Sequence, residues 1–568
     1  MEKKSVLINT IFNVTVFCSS VTLAQEPVQN IDQNKHPILP EGKFVGAQAN
    51  SYITATQEDN RSDIDGPAQE ARQLSVQVSQ GLKISAQDTD AANESSAVTQ
   101  GGSATSQSLQ SIIRGACNGK QPGIVSLGSR SYSASSTVTI PSNCTIRGNG
   151  AKIIATSTLI GDLISATSVS DVHIIGPLIL NSTNANVSTG RQSQTIEFFD
   201  VKHSSVNDVS FSGSRQGELV LWGVSNFEGR NLAFENASAI PHASSPAMVI
   251  FNWVPGTPTQ ASTDVNVDGV RCIGSPTTTP GCIYSDGNYN RSGTPGQSNE
   301  RINLSNVTIE ASTDDGVEYD HSSGSISGIR CGPGTIKNQC VLLRQTSNVR
   351  VDGVTCLAGT AFCVEIARFG DDDATDSIDV SHVTGTGISG ARDSAVVHVR
   401  NSTTSADLTN VTVDGVVADG LSNVGVYCEG PGSTGKFLQH ISFNNITVHH
   451  SKKDGMLIES CQDVAIGELD AFNNNQGTSC ATYPYAALRI TGSNDVVVRG
   501  VRGYDDQARK TQCYGLTING ASKRVNVSDA EFRDDLNGSG GVHNESRDAY
   551  VIYRKTANTT ATIGVPQE

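Results

Sequence analysis

Apolar and polar side chains alternate in short stretches that recur along the chain, each opening on a small residue. Gly316-Val317-Glu318-Tyr319, Cys340-Val341-Leu342-Leu343, Cys363-Val364-Glu365-Ile366, Ala395-Val396-Val397-His398, Gly425-Val426-Tyr427-Cys428, Gly455-Met456-Leu457-Ile458, Ala487-Leu488-Arg489-Ile490 and Gly515-Leu516-Thr517-Ile518 return every 23 to 32 residues. Alternation is the period of a β-strand, so Val317 and Tyr319 face one way while Glu318 and Asp320 face the other. Between these stretches lies a second strand type that ends in a polar turn, as in "NLSNVTI", "SNVRVDGV", "LTNVTVDGV" and "ISFNNITV". Two strand types repeating at such a period predict an all-β solenoid in which each rung buries its inner face against the next. A leucine-rich repeat would need a helix in each unit, and a β-sandwich would not repeat one strand pair so often.

The pattern differs at the N-terminal end. Leu109, Ile112 and Ile113 at i, i+3 and i+4 predict a short capping helix from Ser108 to Gly115. Residues 25–105 are rich in Gln, Ser, Ala, Asp and Asn, which predicts a loosely held linker or arm. Lys3 and Lys4 before the apolar run Val6–Leu23, with Ala24-Gln25 after it, read as a secretory signal over 1–24. The solenoid is then expected to form a single domain over 106–560 of a secreted chain, extracellular or periplasmic and monomeric.

Charge and cysteines narrow the class. A formal charge of −16 argues against sequence-independent nucleic-acid binding, which needs a basic face. No segment after the signal is long and apolar enough to span a bilayer. Setting aside Cys18 in the signal leaves an even number of cysteines, in the couples Cys117/Cys144, Cys272/Cys282, Cys331/Cys340, Cys356/Cys363, Cys428/Cys461 and Cys480/Cys513. An oxidising compartment would bridge them in that order. No CxxC pair suggests zinc, so no metal site and no cofactor is expected; the run Asp371-Asp372-Asp373 with Asp376 offers oxygen ligands to calcium but reads equally as a solvated turn. Trp222 and Trp253 read either as platforms for a sugar ring or as packing.

Stacking the rungs about 4.8 Å apart puts chemistry on one outward column. It reads Asp286, Asp320, Arg344, then the Glu365/Arg368 neighbourhood and Arg400: an acidic centre with a basic flank. Carboxylates one or two rungs apart stand roughly 5–10 Å from each other, the range of a glycosidase acid/base pair. Crowding raises the pKa of one of them and so keeps an acid protonated.

Two resemblances follow. A helix, a Gly-rich turn and then "TVTIPSNCTIRGNG" resemble the N-terminal cap of right-handed parallel β-helix proteins of the pectin lyase-like superfamily. Ser285-Asp286-Gly287, Ser305-Asn306-Val307-Thr308-Ile309 and Thr313-Asp314-Asp315-Gly316-Val317 resemble the polygalacturonase-type glycoside hydrolases, with their N-T-D-G, S-N-V-T-I and G-D-D-C. That resemblance implies Asp286, Asp314 and Asp315 as the catalytic acids and bases of an inverting hydrolysis. The chain departs from the family after Cys331-Gly332-Pro333-Gly334, where G-H-G is missing, and at Glu365-Ile366-Ala367-Arg368, which replaces R-I-K. The expectation is a polysaccharide-active enzyme that hydrolyses glycosidic bonds, uronate-containing chains included, with Glu318, Asp320, His321, Arg344, Glu365 and Arg368 binding substrate. Two alternatives stand beside it. One is a lyase or uronate epimerase centred on Arg344 and His321; the other is a glycan-binding adhesin without catalysis.

Overall fold

The predicted apolar pairs meet rung upon rung. In the computed structural model Val317 lies between Ile283 and Val341, and Tyr319 between Ser285 and Leu343, in parallel register. The structure describes residues 104–563 apart from 184–193, 214–216, 236–245, 253–259, 275–280, 288–297, 335, 369–373, 390–393, 403–406, 433–437, 478, 534–540 and 557–558. The expected signal and almost all of the expected arm therefore lie outside the described residues, as do Trp253 and Asp371–Asp373.

From the strand Cys144–Arg147 onward, strands of one face pair in parallel with their equivalents on the next rung, which makes the chain a continuous coil. One inner column runs Leu219, Met248, Ile283, Val317, Val341, Val364, Val397, Val426, Met456, Leu488 and Leu516, every member at most 1% exposed. Each such side chain is worth about 1.5–3 kcal/mol on burial, so the core extends along the whole coil instead of gathering at one centre.

One rung corrects the sequence register. Val396, not Ala395, aligns with the small residues that open the other strands, because Val397 pairs with Val364 and Val426. A one-residue slip sends every side chain to the opposite face, so His398 and Arg400 point outward while Val397 and Val399 fill the core. The run Val396-Val397-His398-Val399 fits either phase by hydrophobicity alone.

The second strand type is longer than its polar turns suggested. Leu408–Asp419 runs unbroken through Asp414-Gly415, and Leu438–His449 through Asn444-Asn445. The chain turns there by single left-handed residues: Asn306, His382, Asn445 and Glu468 hold φ between 52° and 54°, and Gly415 holds 68° at the equivalent place on its rung. Asparagine and glycine tolerate that conformation best, which explains their recurrence.

At the N-terminal end, the helix Ser106–Ala116 seats Leu109 and Ile113 on the first coil, both fully buried. All six expected cysteine couples are disulfide-bonded, with Cα atoms 5.3 to 6.7 Å apart. Cys117–Cys144 ties the end of the helix to the coil. At the other end, the antiparallel strand Thr559–Ile563 pairs with Ala549–Thr556 and covers an edge that would otherwise offer unpaired backbone.

Candidate functional site

The sheet that carries Val317–Asp320 shows two outward columns. The first runs Trp222, Phe251, Asp286, Asp320, Arg344, Ala367, Arg400, Glu429 and Glu459. The second runs Val220, Val249, Tyr284, Glu318, Leu342, Glu365, His398, Tyr427 and Leu457. Their N-terminal part is apolar, with Phe199, Val220, Trp222, Val249, Phe251 and Tyr284 forming one buried cluster. Trp222 is only 2% exposed and packs on Phe251 at 4.5 Å, so the packing reading holds for it.

Charge begins where the aromatic rows end. Tyr284 donates its hydroxyl to Asp286 Oδ2 at 2.9 Å, and Asp286 stacks on Asp320. Arg344, on the following rung, sets Nη2 2.5 Å from Asp320 Oδ2 and 2.8 Å from Glu318 Oε1. His321 Nδ1 lies 2.7 Å from Asp320 Oδ1 and 4.0 Å from Asp286 Oδ1. Consecutive strand residues would point to opposite faces, but His321 has φ 47°, which turns its ring back to the side of Asp320.

This packing pushes the carboxyls apart in acidity. Burial is the main cause that lifts Glu318 to about 7, helped by the negative charges of Asp320, Asp314 and Asp286 and opposed by Arg344. Burial also acts on Asp320, yet Arg344 and His321 outweigh it and hold that carboxyl below its ordinary value. Two neighbouring carboxyls, one raised to about 7 and one held below its ordinary value, suit the division of labour that acid–base catalysis needs. Glu318 is also the more accessible, with 16% of its side chain exposed against 2% for Asp320.

Asp314 and Asp315 belong to the other end of the same strand. They precede Val317, whereas Asp286 stands beside Asp320, and three strand residues put roughly 10 Å between Val317 and Asp320. The three carboxylates singled out by the family resemblance thus do not form one cluster, and Glu318 sits between the two ends. Asp314 Oδ1 accepts from Asn338 Nδ2 at 2.5 Å, and Asp315 Oδ1 from the Gln339 amide at 3.1 Å. Burial, then the charges of Glu318 and Asp314, push Asp315 well up.

Glu365 continues the outward row and accepts from the Gln339 amide group. On its far side the fully buried His398 sets Nδ1 3.3 Å from Glu365 and Nε2 3.2 Å from Glu429, which also meets Arg400 at 3.3 Å. The imidazole is stacked on Tyr427 at 4.7 Å and on Phe362 at 5.5 Å. His398 and Gln339 were missed from sequence, the first through the register slip and the second because it precedes its strand's alternation. Arg368 lies one residue past the column position held by Ala367, pairs with Asn401 and is completely buried. Of the acidic run proposed for calcium, Asp376 is described. Its carboxylate accepts from Ser377, Thr409 and Asn410 at 2.8, 2.7 and 2.6 Å.

No protein-family model matches the chain, and no curated protein matches it. Among solved structures, a mutant tailspike protein of E. coli bacteriophage HK620, in complex with pentasaccharide, aligns at TM-score 0.52 and 12% identity, covering 79% of this chain and 77% of that one. The chain is a right-handed parallel β-helix. The A-module of a mannuronan C-5 epimerase from Azotobacter vinelandii aligns at TM-score 0.36 and 11% identity, over 80% of this chain and 94% of that one. At such identities the likeness concerns the fold of the β-helix and leaves its chemistry to the residues above. No helix among the described residues is long and apolar enough to cross a membrane.

Proposed function

We propose that this β-helix is a secreted, polysaccharide-active glycoside hydrolase whose general acid is Glu318 and whose water-activating base is Asp286. The observation that carries the reading is the placement of Glu318 and Asp320 around Arg344, where burial raises Glu318 to about 7 while Arg344 and His321 hold Asp320 below its ordinary value. Glu318 delivers its proton to the glycosidic oxygen as the bond breaks, and Asp286 takes one from the attacking water. The two residues stand one rung and two positions apart on the same outward face, about 8 Å between backbone positions. Asp320 orients Arg344 and His321, while Glu365 in the outward row and Asp314 and Asp315 at the other end of the Glu318 strand bind sugar hydroxyls. Six disulfides agree with an oxidising compartment. A lyase or epimerase would need a cation for the substrate carboxylate, whereas Arg344 is held between the side chains of Glu318 and Asp320.

The test is a panel of polyuronates and neutral glycans, read by new reducing ends and by ultraviolet absorbance. Glu318→Gln and Asp286→Asn are each expected to lower turnover by about 100-fold or more while the fold is kept, with Asp315→Asn milder. A product that absorbs in the ultraviolet, from a new C=C bond, would replace hydrolysis with elimination. Full activity in Glu318→Gln would refute the assignment of the acid.

A further inference from the structure

Among the described residues, two groups bring three metal-ligating atoms within 4.8 Å of one another: Asp286, Asp320 and His321, and Asp419, His449 and His450. In the first, the guanidinium of Arg344 stands 2.5 Å from Asp320 and already supplies the positive charge. The second has no such cation among its recorded partners. His449 Nδ1 lies 2.7 Å and His450 Nδ1 3.0 Å from the same Asp419 Oδ1, and the two nitrogens are 3.1 Å apart.

We propose that Asp419, His449 and His450 form a binding site for a borderline divalent transition metal, zinc foremost. The triangle itself is the argument. Each Nδ1 has one in-plane site, a proton or a lone pair, so two nitrogens cannot satisfy all three edges by hydrogen bonding. A cation at the centre accepts one lone pair from each corner, and two imidazoles with a carboxylate suit zinc. A tetrahedral ion with bonds of ~2.0–2.1 Å holds its ligands about 3.3 Å apart, a few tenths of an ångström wider than the present contacts.

The fold presents these ligands deliberately spaced. Asp419 and His449 are register partners on successive rungs, so their side chains stack on one outward column. His450 would point away in a regular strand, but its φ of 57° brings the second ring back to the same corner. Phe472, on the next rung, stacks on the His449 ring at 5.0 Å and 12° and fixes its orientation. The side chains are 39%, 22% and 46% exposed in chain order, so an ion can enter and keep a water as its fourth ligand.

Calorimetric titration of the chelator-treated full chain with Zn2+ tests this. One ion per chain is expected. Asp419→Asn, His449→Gln and His450→Gln should each weaken it by well over ~10-fold, the loss usual even for outer partners of a metal. His382→Gln breaks a surface pair that offers only two ligands, His382 and Asp352 at 2.7 Å, and should leave the affinity unchanged. Circular dichroism of each variant separates loss of the ligand from loss of the fold. Zn2+ binding that none of the three ligand variants weakens, or no binding tighter than theirs, overturns the proposal.

Discussion

Glu318 makes the fold itself pH-sensitive, and the sign can be worked through. Its carboxyl is raised in the folded chain from an ordinary 4.5 to about 7, chiefly by burial. The folded state therefore holds this proton more tightly than the unfolded chain does. The stability that it contributes is fully present below about 4.5 and is lost as pH rises to about 7. At 1.36 kcal/mol per pH unit, that gap amounts to about 3 kcal/mol. Glu318→Gln removes the titration but not the shape. Guanidinium unfolding of both proteins from pH 4 to pH 9 should show a stability difference that moves in the variant's favour by about 3 kcal/mol across the window. Any fixed cost of leaving Arg344 with Asp320 alone shifts that curve up or down without bending it. A difference that is flat with pH, or that bends towards the wild type as pH rises, would refute a protonated Glu318. With its carboxyl raised to about 7, Glu318 is costly to stability where it is useful to catalysis, a common trade at acid–base sites.

Two further outcomes concern the coil away from the site. Phe443 is completely buried, so Phe443→Ala should cost about 3–5 kcal/mol in the same unfolding assay; a loss under 1 kcal/mol would mean that the interior collapses around the gap. Removing Cys117–Cys144 with paired alanines opens a loop of 27 residues, and chain entropy puts the loss at about 3.5 kcal/mol, read as a lower unfolding midpoint and faster hydrogen exchange in the helix Ser106–Ala116.

Much of the architecture was legible because its determinant is local. Period-two alternation and small residues at strand openings follow from how one rung packs on the next, so Val317/Tyr319 and Met456/Ile458 could be assigned inward by inspection. The cysteine couples were legible for a similar reason, since three of the six join a residue at or near the end of one strand to one in or just before the next, 7 to 10 residues on. Where the apolar run had no polar marker, as at Val396-Val397, the phase was open and His398 was lost to the core. The positions of the candidate residues along the chain were legible, but their grouping was not. Asp286, Asp314 and Asp315 are each close to the same strand, yet only register decides which end of it they occupy. The family-like spacing pointed to one cluster, whereas pairing sets Asp286 against Asp320 and leaves Asp314 and Asp315 before Val317.

Single left-handed residues connect these observations. Along an extended strand a histidine after an outward aspartate should be buried or turned away. At His321 and at His450 a positive φ at the strand's end brings the next side chain back beside the outward column, next to Asp320 in one case and to Asp419 in the other. The same bend that turns the coil at its corners can thus add an imidazole to a row of carboxylates without disturbing the ladder of backbone hydrogen bonds. What the imidazole then does depends on its neighbours. Beside Arg344 a positive charge is already in place, and Arg344 with His321 holds Asp320 below its ordinary value while Glu318 is raised to about 7. Beside a second imidazole, with no guanidinium among the described partners of Asp419, the proposed metal ion would supply the positive charge. The corner at His449–His450 differs from the corner at His321 by that one cation, which is why proton transfer is proposed for one and a metal for the other.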